Sequence, residues 1–321
     1  MHSRRVILGA SVAALLLVRS AAADHGPGTS GGGASTQSGE TLKPGKFALD
    51  LRFDWTEFDD VSRSQAAAKA MSGGSFDFLD RSFVTTATAS AGLVEDLQAS
   101  LTWGYYDAVG AGETELDPST GDVERSSFNP DGFTDLTLTL KYRFARGPSG
   151  SWAVFAGEKF PVGRNDVRNS AGEFVEPSAT AGSGSYDSLA GIAYSVYLSE
   201  RVSLDASAQY TLRTEHDGFK VGDRVDVGAA VAYRLVDDIK EFPQWSVFGE
   251  VLLRDLQKSE ESGSPDPNTG GTVLFLSPGV RFSPVQDLTL TVAPQFPVVQ
   301  ALNGEQLRTD FRVVFGLTFS F

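Results

Sequence analysis

Few side chains in this sequence could carry a reaction. There is no cysteine, which excludes thiolate chemistry and any disulfide framework. Beyond the leader only two histidines remain, His25 and His216. His216 sits in Glu215-His216-Asp217, an Asp/His grouping of the kind that outer-membrane proteases place at their rim; a solvated loop is the plainer reading of it. No Gly-x-Ser-x-Gly elbow and no His-rich metal spacing occurs. The sequence therefore predicts no catalytic set, no metal and no cofactor. The charged residues placed at alternate positions in apolar runs are more informative: Asp50, Arg52, Asp54, Asp135, Lys141, Arg143, Asp205, Arg213, Asp226, Arg234, Glu250, Arg254 and Arg312. Charge on one face of such a run must be met by water or by a partner charge. Two roles follow, and they are compatible: a polar permeation path or binding site, and a salt-bridged interior that holds the fold in shape.

The elements that carry these residues read as strands, since a strand sends successive side chains to opposite faces. Arg308–Phe321 shows it most clearly. Phe311, Val313, Phe315, Leu317, Phe319 and Phe321 share one parity, and Arg312, Val314, Gly316, Thr318 and Ser320 the other. About twelve such runs occur: Lys46–Phe58, Ser82–Leu93, Leu97–Tyr106, Phe133–Phe144, Trp152–Val162, Tyr186–Leu198, Val202–Arg213, Arg224–Val236, Trp245–Leu256, Thr272–Phe282, Leu288–Phe296 and Arg308–Phe321. The phase of the fifth is ambiguous at Gly157-Glu158-Lys159. Odd-to-even connections are mostly long and polar, such as Asp59–Arg81 and Asp107–Gly132. Even-to-odd connections are mostly short, such as Val94–Asp96. Aromatic residues gather near the strand ends. Short turns on one side, long loops on the other and aromatic girdles between them predict a transmembrane antiparallel up-and-down β-barrel of about 12 strands, with both termini on the periplasmic side. Leu138 is expected to face lipid near mid-membrane, and Thr139 the lumen.

Composition agrees. No apolar run reaches the ~20 residues of a membrane helix. A mean hydropathy of -0.13 is what a barrel gives, because inward polar residues cancel outward apolar ones. Residues 1–23 read as a secretory signal: Arg4 and Arg5, an apolar stretch from Val6 to Val18, and a small-residue cleavage site ending at Ala23. Residues 24–45 are rich in Gly, Ser and Thr and have no apolar anchor before Leu42, so they read as a flexible periplasmic tether, with a plug in the lumen as the alternative. Residues 46–321 form the barrel. A formal charge of -14 and the lack of a basic patch exclude nucleic acid as a partner.

Three short stretches add a resemblance: Gly132-Phe133-Thr134-Asp135-Leu136-Thr137-Leu138 leading into Lys141-Tyr142-Arg143-Phe144; Lys159-Phe160-Pro161-Val162-Gly163; and Gly182-Ser183-Gly184-Ser185-Tyr186-Asp187. With Ser277-Pro278-Gly279-Val280 and the Phe-rich end, the chain resembles a family of bacterial outer-membrane barrels associated with the MetA-pathway of phenol degradation. The resemblance implies a barrel in the outer membrane that takes up small molecules, with small hydrophobic or aromatic solutes as candidates, and it supplies no catalytic residue. The alternative is a structural or surface-interaction barrel with a blocked lumen. The terminal Phe321 resembles the signal that outer-membrane barrels present to the barrel-assembly machinery. Outer-membrane lipid, that machinery and an unidentified small solute are the expected partners.

Overall fold

The structure, a computed structural model, describes residues 33–117, 119–237 and 241–321. The expected leader with its cleavage site, and the first part of the Gly/Ser-rich segment, lie outside the described residues.

Twelve long strands form one closed antiparallel barrel: β1 Phe47–Phe58, β2 Arg81–Val94, β3 Leu97–Val109, β4 Leu136–Gly147, β5 Gly150–Phe160, β6 Asp187–Tyr197, β7 Val202–Arg213, β8 Arg224–Arg234, β9 Gln244–Leu256, β10 Gly271–Val285, β11 Leu288–Leu302 and β12 Thr309–Ser320. Each pairs with its neighbours in sequence, and β12 closes on β1 with Phe315 opposite Phe53 and Phe319 opposite Leu49. Closure removes both sheet edges, the condition for strands to cross lipid. The alternation sets which face is which. On β4, Leu140 is 49% exposed while its neighbour Lys141 is 2% exposed, an inversion of the order in a water-soluble protein. Ring pairs mark the two boundaries of the lipid-facing band. Trp152–Tyr194 (4.4 Å) and Trp245–Phe282 (4.3 Å) lie at the short-turn end, and Phe160–Tyr186 (6.2 Å) and Trp55–Phe311 (5.6 Å) at the long-loop end.

The phase holds and the depth needs one correction. Leu138 faces lipid, but it lies only two residues from the outer end of β4. Leu140 sits nearer mid-height. Leu140→Arg is expected to cost roughly 2–4 kcal/mol of barrel stability, as for arginine at the bilayer midplane. Thr139→Arg, pointing into the lumen, is expected to cost much less. An unfolding titration in lipid vesicles compares the two; equal losses would contradict the phase.

The long loops are more ordered than their polar composition suggests. The first contains α1, Arg63–Gly73, opened by a capping box in which Ser62 and Gln65 bond reciprocally. Ala66 and Ala70, one turn apart, bury its inner face. Beside it Ser75–Phe78, Gly112–Leu116 and Val123–Ser127 form a three-stranded sheet. These pieces pack with residues of the third long loop around Phe76, Phe78, Leu79, Val167, Val175 and Leu307. The outer mouth is thus capped by a lid with an apolar core.

Candidate functional site: a chamber in the lumen

Residues 33–43 run inside the barrel, which corrects the expectation of a periplasmic tether. The physical reason is that the lumen offers acceptors to consecutive backbone N–H groups. Glu250, at mid-height on β9, accepts from Ala34 N (3.1 Å), Ser35 N (2.8 Å), Thr36 N (2.6 Å) and Thr36 Oγ1 (2.7 Å). Arg52 donates to the Ala34 carbonyl and is held in turn by Asp54 at 2.7 Å. Lower down, Gln37 N donates to Ser207 Oγ (3.0 Å), Gly39 N to Ser195 Oγ (2.8 Å) and Leu42 N to Gln98 Oε1 (2.9 Å), while Glu40 pairs with Arg143. An apolar anchor also exists: Ala34, 1% exposed, packs with Ala232, Phe248, Ala293 and Val314. A Cβ on Gly39 would come within 2.4 Å of the Ser151 carbonyl, so the glycine lets the segment press against the wall. These bonds offset the ordering cost of the segment, ~1–2 kcal/mol per residue for the backbone.

Above this strap, beneath the lid, lies a cavity of about 140 Å³. Its floor includes Gln37 and Phe155. Its walls carry Thr86, Thr102, Thr137, Thr139 and Thr211, interleaved with Val84, Tyr106 and Leu189; Thr180 and Ala181 of the lid also line it. A threonine presents both a methyl and a hydroxyl, so this part of the lining is weakly polar, while Asp135, Lys159, Asp187, Arg213 and Arg224 bring charge to the rest.

At the outer rim of the chamber the three short stretches that carry the family resemblance meet in one network. Lys159 Nζ bridges Asp135 (2.9 Å) and Asp187 (2.7 Å). Asp135 Oδ1 accepts from Gly163 N (3.0 Å), and its Oδ2 from Ser183 N (2.9 Å) and Ser183 Oγ (3.0 Å). Ser185 Oγ donates to Asp187 at 2.9 Å. Gly163 and Gly182 touch backbone to backbone: a Cβ on Gly182 would fall 2.4 Å from the Gly163 carbonyl carbon. Asp135 therefore holds both ends of the loop at 161–186 down onto the barrel.

The other sequence-selected charges all face the lumen. Asp50 accepts from Thr318 Oγ1 (2.6 Å), and Asp205 from Ser195 Oγ. Asp226 pairs with Arg254 across β8 and β9 and with Arg224 along β8, each at 2.7 Å. Arg213 lines the chamber, and Lys141 is buried in the wall below it. Arg234 lies at the periplasmic mouth, where it donates to the Val236 carbonyl (3.1 Å). Arg312 donates to Gln295 Oε1 (2.6 Å), and Gln295 in turn reaches Ser35 Oγ (3.1 Å). Lys159, Asp187 and Arg224 belong to the site and were not among the sequence candidates. Continued alternation into the strand ends was the signal for Asp187 and Arg224, whereas at Lys159 the alternation pauses.

Over the chamber the lid carries carboxylates on one sheet face. Asp77 stands opposite Glu113, and Glu115 opposite Glu124. Burial, together with Glu115 and Glu173, pushes Glu113 up to about 7. The folded lid thus binds that proton more tightly than the unfolded chain, so stability is gained as pH falls through 7 toward the ordinary carboxylate range and lost again as pH rises. Amide protection over Gly112–Leu116, corrected for intrinsic exchange, is expected to rise about tenfold from pH 8 to pH 5.5, a discounted share of the full shift. Glu113→Gln should flatten that dependence.

A closed twelve-stranded barrel with a lipid-facing apolar band, a lidded outer mouth and a chamber within has the fold of an outer-membrane β-barrel. Within that class the chain belongs to the family described as "Putative MetA-pathway of phenol degradation", whose model matches residues 28–298. The chain is similar in structure to the COG4313 outer membrane channel from Pseudomonas putida F1, with 13% identity, a TM-score of 0.59, and 88% of this chain and 97% of that chain covered. It also aligns with the translocator domain of autotransporter NalP from Neisseria meningitidis (10% identity, TM-score 0.44, 87% and 90% covered) and with a FadL homologue from Pseudomonas aeruginosa (12% identity, TM-score 0.41, 93% and 97% covered). No curated protein matches the sequence.

Proposed function

We propose that the protein is a gated outer-membrane channel for small, uncharged molecules that combine an apolar body with a hydrogen-bonding group. The chamber carries this reading. Its volume of about 140 Å³ is close to the ~150 Å³ of an apolar protein cavity that holds benzene, so it suits a single-ring solute. Its hydroxyls favour a solute with a donor or acceptor over a plain hydrocarbon. Its charges pair with one another, as Lys159 does with Asp135 and Asp187, so a charged solute would have to break buried pairs. The lumenal charges divide accordingly. Asp135 and Arg213 belong to the chamber, while Arg52, Asp54, Arg143, Glu250 and Arg312 hold the strap, and a continuous path exists only when the strap moves. That the COG4313 protein is called an outer membrane channel agrees with this reading. Export by a leader cleaved near Ala23 and assembly through Phe321 belong to it as well.

The number of bonds to the strap favours one competing reading, a structural barrel whose lumen stays blocked. Purified full-length protein in planar bilayers separates the two. Stepwise conductance that benzyl alcohol modulates supports the channel; a folded barrel that stays silent even after the strap is removed sinks it.

A further inference from the structure

Glu158 of β5 is a carboxylate in the lipid-facing wall. On β5, Phe155 and Lys159 line the chamber, so Glu158 between Gly157 and Lys159 points outward. It stands in register with Leu138 on β4 and Ser188 on β6, both on the outer face. It lies one outward position below the Phe160–Tyr186 ring pair that marks the outer boundary of the apolar band. Ser188 Oγ donates to Glu158 Oε2 at 2.7 Å. A carboxylate offers about four acceptor positions, so this one can take a further donor from the lipid side. An ionisable side chain in a lipid-facing wall costs stability, and barrel closure does not need it there: its register neighbour Leu138 fills the same kind of position with carbon.

Beside this carboxylate the ladder of the wall is interrupted. The β3–β4 ladder runs from Leu97 to Thr102 against Thr137 to Tyr142 and resumes only at Tyr105 and Tyr106 against Phe133 and Gly132. Between these stretches Trp103 and Gly104 face Thr134, Asp135 and Leu136, one residue more on the β4 side, which is a bulge. On its inner side Thr102 and Thr134 line the chamber. On its outer side the Trp103 and Phe133 rings stack at 4.5 Å. Glu158 is one strand away, since Leu136 and Leu138 are the β4 partners of Phe160 and Glu158.

We propose that Glu158 and Ser188 form a lipid-side docking site for the hydroxyl or N–H donor of a single-ring molecule dissolved in the outer leaflet, and that this molecule passes to the chamber through the β3–β4 bulge, with the Trp103–Phe133 stack as its gate. In lipid such a donor has no water to bond, so a charged acceptor is a strong partner for it. The ring rests on Leu138 and the gate aromatics. The passage rests on the chamber proposed above; the docking site does not.

Photolabelling of the full chain in phosphatidylcholine nanodiscs, a lipid whose headgroup has no donor, tests this. The probes are a diazirine-bearing benzyl alcohol and its methyl ether. The alcohol should label the outer face around Ser188 and Leu138 about fivefold more than the ether, roughly the worth of one net hydrogen bond. Glu158→Leu, which leaves a lipid-compatible side chain, should reduce the alcohol to the level of the ether without lowering the melting temperature. Because the chain has no cysteine, Trp103→Cys with Phe133→Cys can be joined cleanly by a short bis-maleimide. Joining them should abolish alcohol adducts on the chamber residues Thr102 and Phe155. The same linkage between Val247→Cys and Val280→Cys, an outward pair on β9 and β10, should leave those adducts unchanged. Equal labelling by the two probes, no effect of Glu158→Leu, or chamber adducts that survive gate linkage would each overturn the proposal. Loss of the alcohol's outer labelling when lipopolysaccharide is added to the discs would assign the site to a lipid headgroup and overturn it too. If the wild-type chamber is never labelled while the outer site is, the chamber reading and the passage fail and the docking site stands.

Discussion

Deletion of residues 33–39 is expected to raise single-channel conductance by about an order of magnitude, because a twelve-stranded barrel has a lumen that side chains alone do not fill. The barrel should stay folded. Its ladders do not involve the segment, and water entering the lumen would solvate Glu250, Ser195 and Ser207 when their partners leave. The lid above would still restrict the path, so the open current should be noisy rather than steady. Glu250→Ala is the gentler form of the same experiment. It removes the acceptor of three consecutive N–H groups and one hydroxyl. Hydrogen bonds to a charged group are worth ~1.5–3 kcal/mol each, but freed donors find water, so a net loss of roughly 3 kcal/mol and about a hundredfold rise in open probability is expected. Unchanged conductance in both variants would mean that the strap does not close the path.

The barrel could be read from the sequence because its signal is local and repeated. Every strand restates the same two-residue alternation, and each turn or loop marks its end. Where the alternation pauses, at Gly157-Glu158-Lys159, no apolar neighbour fixes the phase. The strands on either side supply it, through Leu138 and Ser188 beside Glu158. The strap could not be read, because its partners are scattered over the chain, from 18 positions away at Arg52 to 216 at Glu250, and its apolar anchor, Ala34, is a single small side chain. Its Gly, Ser and Thr content suits a free tether and a wall-hugging plug equally well. The lid helix left a readable mark in the Ser62/Gln65 capping box and the following alanines, which a polar-loop reading of residues 59–81 passes over. The charged chamber residues were legible as inward-facing, whereas their grouping was not. Asp135, Lys159 and Ser183 lie in separate motifs, and only the pairing of β4, β5 and β6 brings them within bonding distance.

Asp135→Ala is expected to free the lid from the barrel. The substitution removes the acceptor of Gly163 N, Ser183 N and Ser183 Oγ together with one of the two carboxylates on Lys159. Lys159 keeps Asp187, so its charge is not stranded, and the barrel should lose little stability. The loop at 161–186 should lose much more, since both of its ends are tied at this one side chain. Removing one partner of a buried, charge-assisted network costs on the order of 3 kcal/mol, so amide exchange at Gly163 and Ser183 should accelerate about a hundredfold. The lid's own apolar core, with Val167 and Val175 packed beside Phe76 and Leu79, should keep its protection, so the loop would swing as a unit. Asp135→Asn separates charge from geometry. The amide oxygen can still accept from one end of the loop but no longer neutralises Lys159, so exchange should rise by an intermediate amount. Slow exchange at both amides in Asp135→Ala would show that the lid is held by its core, and that Asp135 serves the chamber wall instead.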